Sequence, residues 1–306
     1  MTEKTPILDV LTYTLLIAGI LIVGFPIIYA VIAATLPLED VTRIPMPLVP
    51  GDQFFVNVKA AWINGNLGTN LLNSFIMATG ITIGKIVVSL LGAFSIVYFD
   101  YRLRTVAFVS VFCTLMLPVE VRILPTYEMA ANLLGPVQGL WELLHLDGAV
   151  RWITGHDIEV SLEWSLLDSY TGLIMPLVAS ATCTFLFRQF FLTIPEELCE
   201  AAKMDGASAM TFFRKILLPL SKTNIAALVV IEFVYGWNQY LWPLLITTNP
   251  KMMTAVIGLQ QIIPAVDDIP YWNVALAGAL IVMLPPVLVV LFMQRWFVKG
   301  LVEKEK

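Results

Sequence analysis

The residues with most chemistry to offer are charged side chains set inside long apolar runs. Lys85 falls in the middle of one run, Glu232 inside another, and Glu120 with Arg122 near the end of a third. An isolated charge at the centre of a bilayer costs at least about 2.5 kcal/mol. Such groups line a polar path, or they pair and tie helices together; sequence alone leaves both readings open. The planar guanidinium of Arg122 suits phosphate oxygens. The run Tyr235-Gly-Trp-Asn-Gln-Tyr-Leu-Trp242 interrupts the apolar segment that carries Glu232 with amides and aromatic rings. Polar groups at that depth need protein or water partners. Trp237, Asn238, Gln239 and Tyr240 therefore either face a cavity suited to a polyol or sugar, or serve plain helix packing.

Other chemistries find no support. Gly80-Ile-Thr-Ile-Gly84-Lys85 is not a phosphate-binding loop, which needs four residues between its glycines and a Ser or Thr after the lysine; here there are three, then Ile86. The same spacing reads better as a small-residue face for helix packing. His145 and His156, the two histidines, lack metal-ligand spacing and a paired nucleophile. Cys113, Cys183 and Cys199 lie far apart and form no disulfide or metal pattern. No basic patch suggests nucleic acid.

The elements that hold these residues must be membrane helices. The chain has 306 residues, 58% hydrophobic and 13% charged, with a mean hydropathy of +0.82; soluble domains carry about 25% charged residues. About 20 apolar residues cross a bilayer, and six segments qualify: 11–36 (with Pro26 expected to kink it), 71–99, 105–123, 170–191, 224–247 and 272–297. The first is too long for a cleavable signal. Residues 37–70 read as a loop with interfacial pieces, and 135–165, with Trp141, Trp152 and Trp164, as a small subdomain against the headgroups. Basic residues divide about twelve to five between the two sides, one side including Lys4, Arg102, Arg104, Arg188, Lys203, Arg214 and Lys215 among its twelve, the other holding Arg43, Lys59, Arg122, Arg151 and Lys251. That bias puts both termini and the 193–219 loop in the cytoplasm, and 37–70 and 135–165 outside.

The 193–219 loop carries two further signals. Thr193 and Glu196 have capping-box spacing with Pro195 in the first turn, predicting a helix that starts near Ile194 and stops at Gly206. Ser208 is placed to cap a second short helix carrying Phe212, Phe213 and Ile216. Two short helices hinged at a glycine make a knob.

Within that knob, Glu200-Ala201-Ala202, then Asp205-Gly206, then Ile216 and Leu218-Pro219 resemble the coupling loop of bacterial ABC-importer permeases. Thr114-Leu-Met-Leu-Pro-Val-Glu-Val-Arg122, Ala181–Phe191, Pro219–Asn224 and Tyr235–Pro243 extend the likeness to the carbohydrate-uptake branch, most narrowly to permeases for sn-glycerol-3-phosphate. The stretch from Gly135 to Ser165 departs from that pattern as an insertion. The resemblance implies an all-α, six-helix type I importer permease in a single domain, multi-pass in the bacterial inner membrane. It further implies that Glu200, Ala201, Ala202, Asp205, Gly206, Ile216 and Pro219 meet an ATPase subunit, and that Glu120, Arg122, Trp237, Asn238, Gln239 and Tyr240 flank the path. The implied partners are a second permease, two copies of the ATP-binding subunit, an extracytoplasmic binding protein and membrane lipid. ATP and Mg belong to the ATPase, and this chain carries no cofactor, no metal and no enzymatic site of its own. The implied cargo is sn-glycerol-3-phosphate, with a maltose- or trehalose-type sugar as the alternative. A non-transporting membrane scaffold is the alternative of another class. The tail Gln294–Leu301 either reaches the ATPase or lies on the inner leaflet.

Overall fold

Backbone polar groups in lipid must be satisfied within the protein, and a helix does this locally. A computed structural model describes residues 6–114, 119–145, 163–263 and 270–302, and the regular elements among them are helical. In chain order they are α1 (Pro6–Thr35), α2 (Leu38–Val41), α3 (Phe54–Asn64), α4 (Leu67–Tyr98), α5 (Arg104–Cys113), α6 (Val119–Ala131) and α7 (Gly135–Leu143). Then come α8 (Tyr170–Ile174), α9 (Ala181–Phe191), α10 (Glu196–Met204), α11 (Ala209–Phe212), α12 (Lys222–Trp237), α13 (Leu241–Ile246), α14 (Ala255–Gln261) and α15 (Trp272–Val302). A π turn, Phe213–Leu217, and one helical turn, Leu218–Leu220, join α11 to α12.

Three of the six expected spans are single long helices: Ile7–Thr35, Leu67–Tyr98 and Trp272–Gln294. Pro26 sits inside α1 without ending it. The fourth and fifth are broken. The fourth bends by 48° between Leu177 and Ala181, where Ser180 accepts the Cys183 N–H and starts α9 afresh. The fifth stops at Trp237 and resumes at Leu241, because Pro243 lacks the N–H that a continuous helix would need. The third is described in two pieces, α5, about 15 Å long at 1.5 Å per residue, and α6; residues 115–118 between them lie outside the description. So do 146–162, which hold most of the expected insertion, including Trp152 and His156.

Two compact units divide the chain, Met1–Leu71 with Ala255–Pro285, and Leu72–Thr254 with Pro286–Lys306. In the first, buried Asn57 donates to the Ala34 and Leu36 carbonyls at 2.9 and 3.0 Å and accepts from Asn273 at 2.9 Å. An amide of α3 thus closes the end of α1. In the second, Gly80 and Gly84 let α4 approach the 174–178 turn; a Cβ at either would lie 2.6 Å from Ile174 or Val178. The small-residue face expected from the sequence is a packing face. Around it sit two apolar clusters, one on Phe94, Phe187, Phe191, Phe213 and Leu217, the other on Met77, Ile81, Leu173, Trp242 and Ile246.

Candidate functional site

The knob is built as short helices anchored by aromatics. Thr193 does not cap α10: its hydroxyl donates to the Phe190 carbonyl at 2.7 Å, and Pro195 occupies the N-cap without a side-chain bond. The helix starts at Glu196, two residues later than the capping-box reading, because Thr193 closes the preceding helix instead. Glu196 and Glu197 lie in the first turn, complementing the helix dipole. The C-terminus forms as expected. Gly206 takes φ +74°, and the Gly206 and Ala207 N–H groups return to Lys203 and Ala202 carbonyls at 3.0 and 2.9 Å, a glycine-closed helix end. Ser208 caps α11 by accepting the Thr211 N–H at 3.3 Å.

This geometry divides the knob into two faces. Ala202, Phe212, Phe213 and Leu217 are buried, and Ile216 is half-buried, against the Phe94–Phe191 cluster. Phe213 meets Phe94 with ring centroids 5.0 Å apart, and Phe212 meets Tyr98 at 5.1 Å, favourable tilted and edge-on distances. Glu200, Ala201, Asp205, Gly206 and Pro219 are exposed. The anchored face packs directly against α4 and α9.

The second site is a polar cavity of about 100 Å³, walled by Lys85 of α4, Arg122 and Thr126 of α6, the turn Pro176–Ala179, and Tyr235, Gln239, Leu241 and Trp242 around the break after α12. Lys85 and Glu232, 147 residues apart, pair at 2.7 Å with both side chains 7% exposed. The other carboxylate oxygen accepts from the Cys183 thiol at 2.8 Å, and Lys85 Nζ stands 3.6 Å from the centroid of the Tyr235 ring. Arg122 is exposed towards the cavity.

Of the pathway residues expected from sequence, Arg122 and Gln239 meet at this cavity. Trp237 does not: it is 2% exposed and stacks on Phe233 at 5.8 Å. Asn238 closes the end of α12, and Tyr240 is half-buried just ahead of α13; neither is among the cavity's walls. The side chain of Glu120 lies outside the described residues. Tyr235 and Trp242, the ends of the interrupting run, line the cavity where its middle does not. Thr126, whose hydroxyl donates to the Arg122 carbonyl at 2.6 Å, gave no signal in sequence. Among the described residues no group of three or more His, Cys, Asp or Glu could hold a metal.

Outside the spans, Asp168 at φ +50° joins two loops. Its carboxylate accepts from the Thr248 hydroxyl at 2.5 Å and from the Thr248 and Asn249 N–H groups at 2.7 and 2.8 Å. Those bonds, the Thr248 hydroxyl first, hold its pKa below the usual carboxylate value.

Residues 85–303 match the family model of binding-protein-dependent transport system inner membrane components. Two relatives are sn-glycerol-3-phosphate transport system permease proteins UgpE. That of Pectobacterium atrosepticum is 49% identical over 312 residues, and that of Salmonella typhimurium 50% over 313, each alignment covering 100% of both chains. The chain belongs to this permease family. A bacterial ABC transporter involved in the import of the acidic polysaccharide alginate shares the permease fold, with a TM-score of 0.72 at 20% identity over 97% of this chain and 99% of that one. The permease is thus an inner-membrane subunit of a binding-protein-dependent ABC importer, a class that works with a substrate-binding protein and leaves ATP hydrolysis to a partner ATPase.

Proposed function

We propose that this permease forms half of the path for sn-glycerol-3-phosphate. The observation that carries the reading is its full-length identity, about one residue in two, with permeases named for that cargo. The cavity supports it chemically, since Arg122 offers a planar fork to phosphate oxygens at the edge of a small polar space. The knob of residues 193–219 is the coupling element, with Glu200 and Gly206 on the face offered to the ATPase. ATP and Mg bind on that partner. Two ATPase copies, a second permease and the binding protein complete the assembly. Both termini and the knob are cytoplasmic, and residues 37–70 and 135–165 lie outside. Closure of the ATPase dimer moves the knob, and the anchored aromatics pass that movement to the helices around the cavity.

The test is ATP hydrolysis by the reconstituted assembly with its binding protein. Stimulation by glycerol-3-phosphate, with none by maltose or trehalose, is the expected result. Stimulation only by a neutral sugar would retain the coupling role and discard the cargo.

A further inference from the structure

Lys85 and Glu232 do more than cancel each other. Neither oxygen of Glu232 is bare, one accepting from Lys85 and the other from the Cys183 thiol. Lys85 keeps donors in hand: an ammonium group has three N–H donors, and among the described residues Glu232 is its one hydrogen-bond acceptor. The Tyr235 ring lies on one side of Nζ, and the same lysine walls the cavity that Arg122 edges. At about 100 Å³ the space holds several waters and has room for a phosphate-sized group.

A phosphate monoester carries a charge of about −1.5 to −2 near neutral pH. Arg122 alone leaves much of that charge uncompensated in a low-dielectric wall. We infer that Lys85 is a second specificity-determining cation of the path, holding Glu232 with one N–H while donating another to the phosphate that Arg122 receives. Glu232 is then a positioning residue: it keeps Nζ at the cavity wall and tempers its charge, so that the anion is held briefly and released. No buried carboxylate is left bare during the exchange, which is what makes the contact affordable in the membrane. The inference rests on the phosphate-ester reading, and its test separates the two.

In reconstituted vesicles the wild-type assembly, supplied with binding protein, is first compared on glycerol-3-phosphate and maltose. A response to maltose alone discards the cargo and this inference with it. Where glycerol-3-phosphate is the cargo, the double variant Lys85→Met/Glu232→Met removes both charges as a pair and retains the apolar packing. Phosphate ester imported per ATP hydrolysed is expected to fall about tenfold, the effect of one charge-assisted hydrogen bond. An unchanged ratio would make the pair a helix tie and overturn the inference. Should the variant fail to assemble, electron microscopy of the wild-type assembly, stalled with ATP and loaded binding protein, decides. Phosphate within hydrogen-bond distance of both Arg122 and Lys85 Nζ supports the assignment; phosphate on Arg122 alone refutes it.

Discussion

A single dihedral angle closes the knob. Gly206 holds φ +74° and a Cβ there would meet nothing within 4 Å, so a side chain is penalised by backbone strain and not by crowding. Non-glycine residues pay about 1–2 kcal/mol in this conformation, asparagine least. Gly206→Val is expected to lower the melting temperature of the purified complex and Gly206→Asn to lower it less, by thermal unfolding in detergent. Asp168 supplies a pH-dependent counterpart. Its pKa is depressed by hydrogen bonds present only in the folded chain, so its contribution is complete above the unfolded value of about 3.9. It is lost as pH falls through the lower folded value. The melting-temperature gap between the wild type and Asp168→Ala is expected to be constant from neutral pH to about 5 and to close on further acidification; a gap that persists at the acid end would contradict the clip. Both positions show how far sequence carries. Gly206 was legible because its role is local. Asp168 was not, because its partners lie 80 residues on, at Thr248 and Asn249.

Helices in this chain are placed by what their glycines admit. Gly84 faces the methyls of Val178, fixed directly on its branched carbon, whereas Gly80 faces the outer end of Ile174. At Gly172 a Cβ would run into the Leu166 carbonyl oxygen, and Trp242 donates to the Gly172 carbonyl at 3.2 Å. Overpacking of this kind costs about 1–3 kcal/mol. Alanine is therefore expected to destabilise most at Gly172, less at Gly84 and least at Gly80; the order of melting temperatures of the three variants checks it. The element-level reading from sequence succeeded where one periodic signal governs, as in α1, α4 and α15. It missed the breaks in the fourth and fifth spans, because hydropathy measures length in lipid and is blind to a bend. Trp237 shows the same limit: an aromatic beside an amide has the composition of a binding wall, yet its place on the helix turns it into the core against Phe233. The capping box failed because Thr193 belongs to the end of the preceding helix, its hydroxyl on the Phe190 carbonyl, and Pro195 takes the N-cap.

At the scale of the whole molecule, aromatic packing joins the proposed coupling knob to helices that also wall the charged cavity. The knob and one of the cavity's cations share a helix: α4 and α9 hold the Phe94–Phe191 cluster, and α4 also carries Lys85, while Arg122 stands on α6. Reversing the charge at the exposed Glu200 by Glu200→Lys leaves the buried anchor intact, so the variant is expected to insert in the membrane as the wild type does. Its binding-protein-stimulated ATP hydrolysis is expected to drop severalfold, which an enzymatic assay of the reconstituted assembly will show. The most direct measurement is uptake of labelled glycerol-3-phosphate into vesicles holding the full assembly, with binding protein outside and ATP within reach of the ATPase, in the presence of excess maltose. Accumulation against the gradient that requires ATP and ignores maltose is the expected result. Accumulation abolished by maltose, or none of the phosphate ester under conditions that import a neutral sugar, would contradict the proposed path.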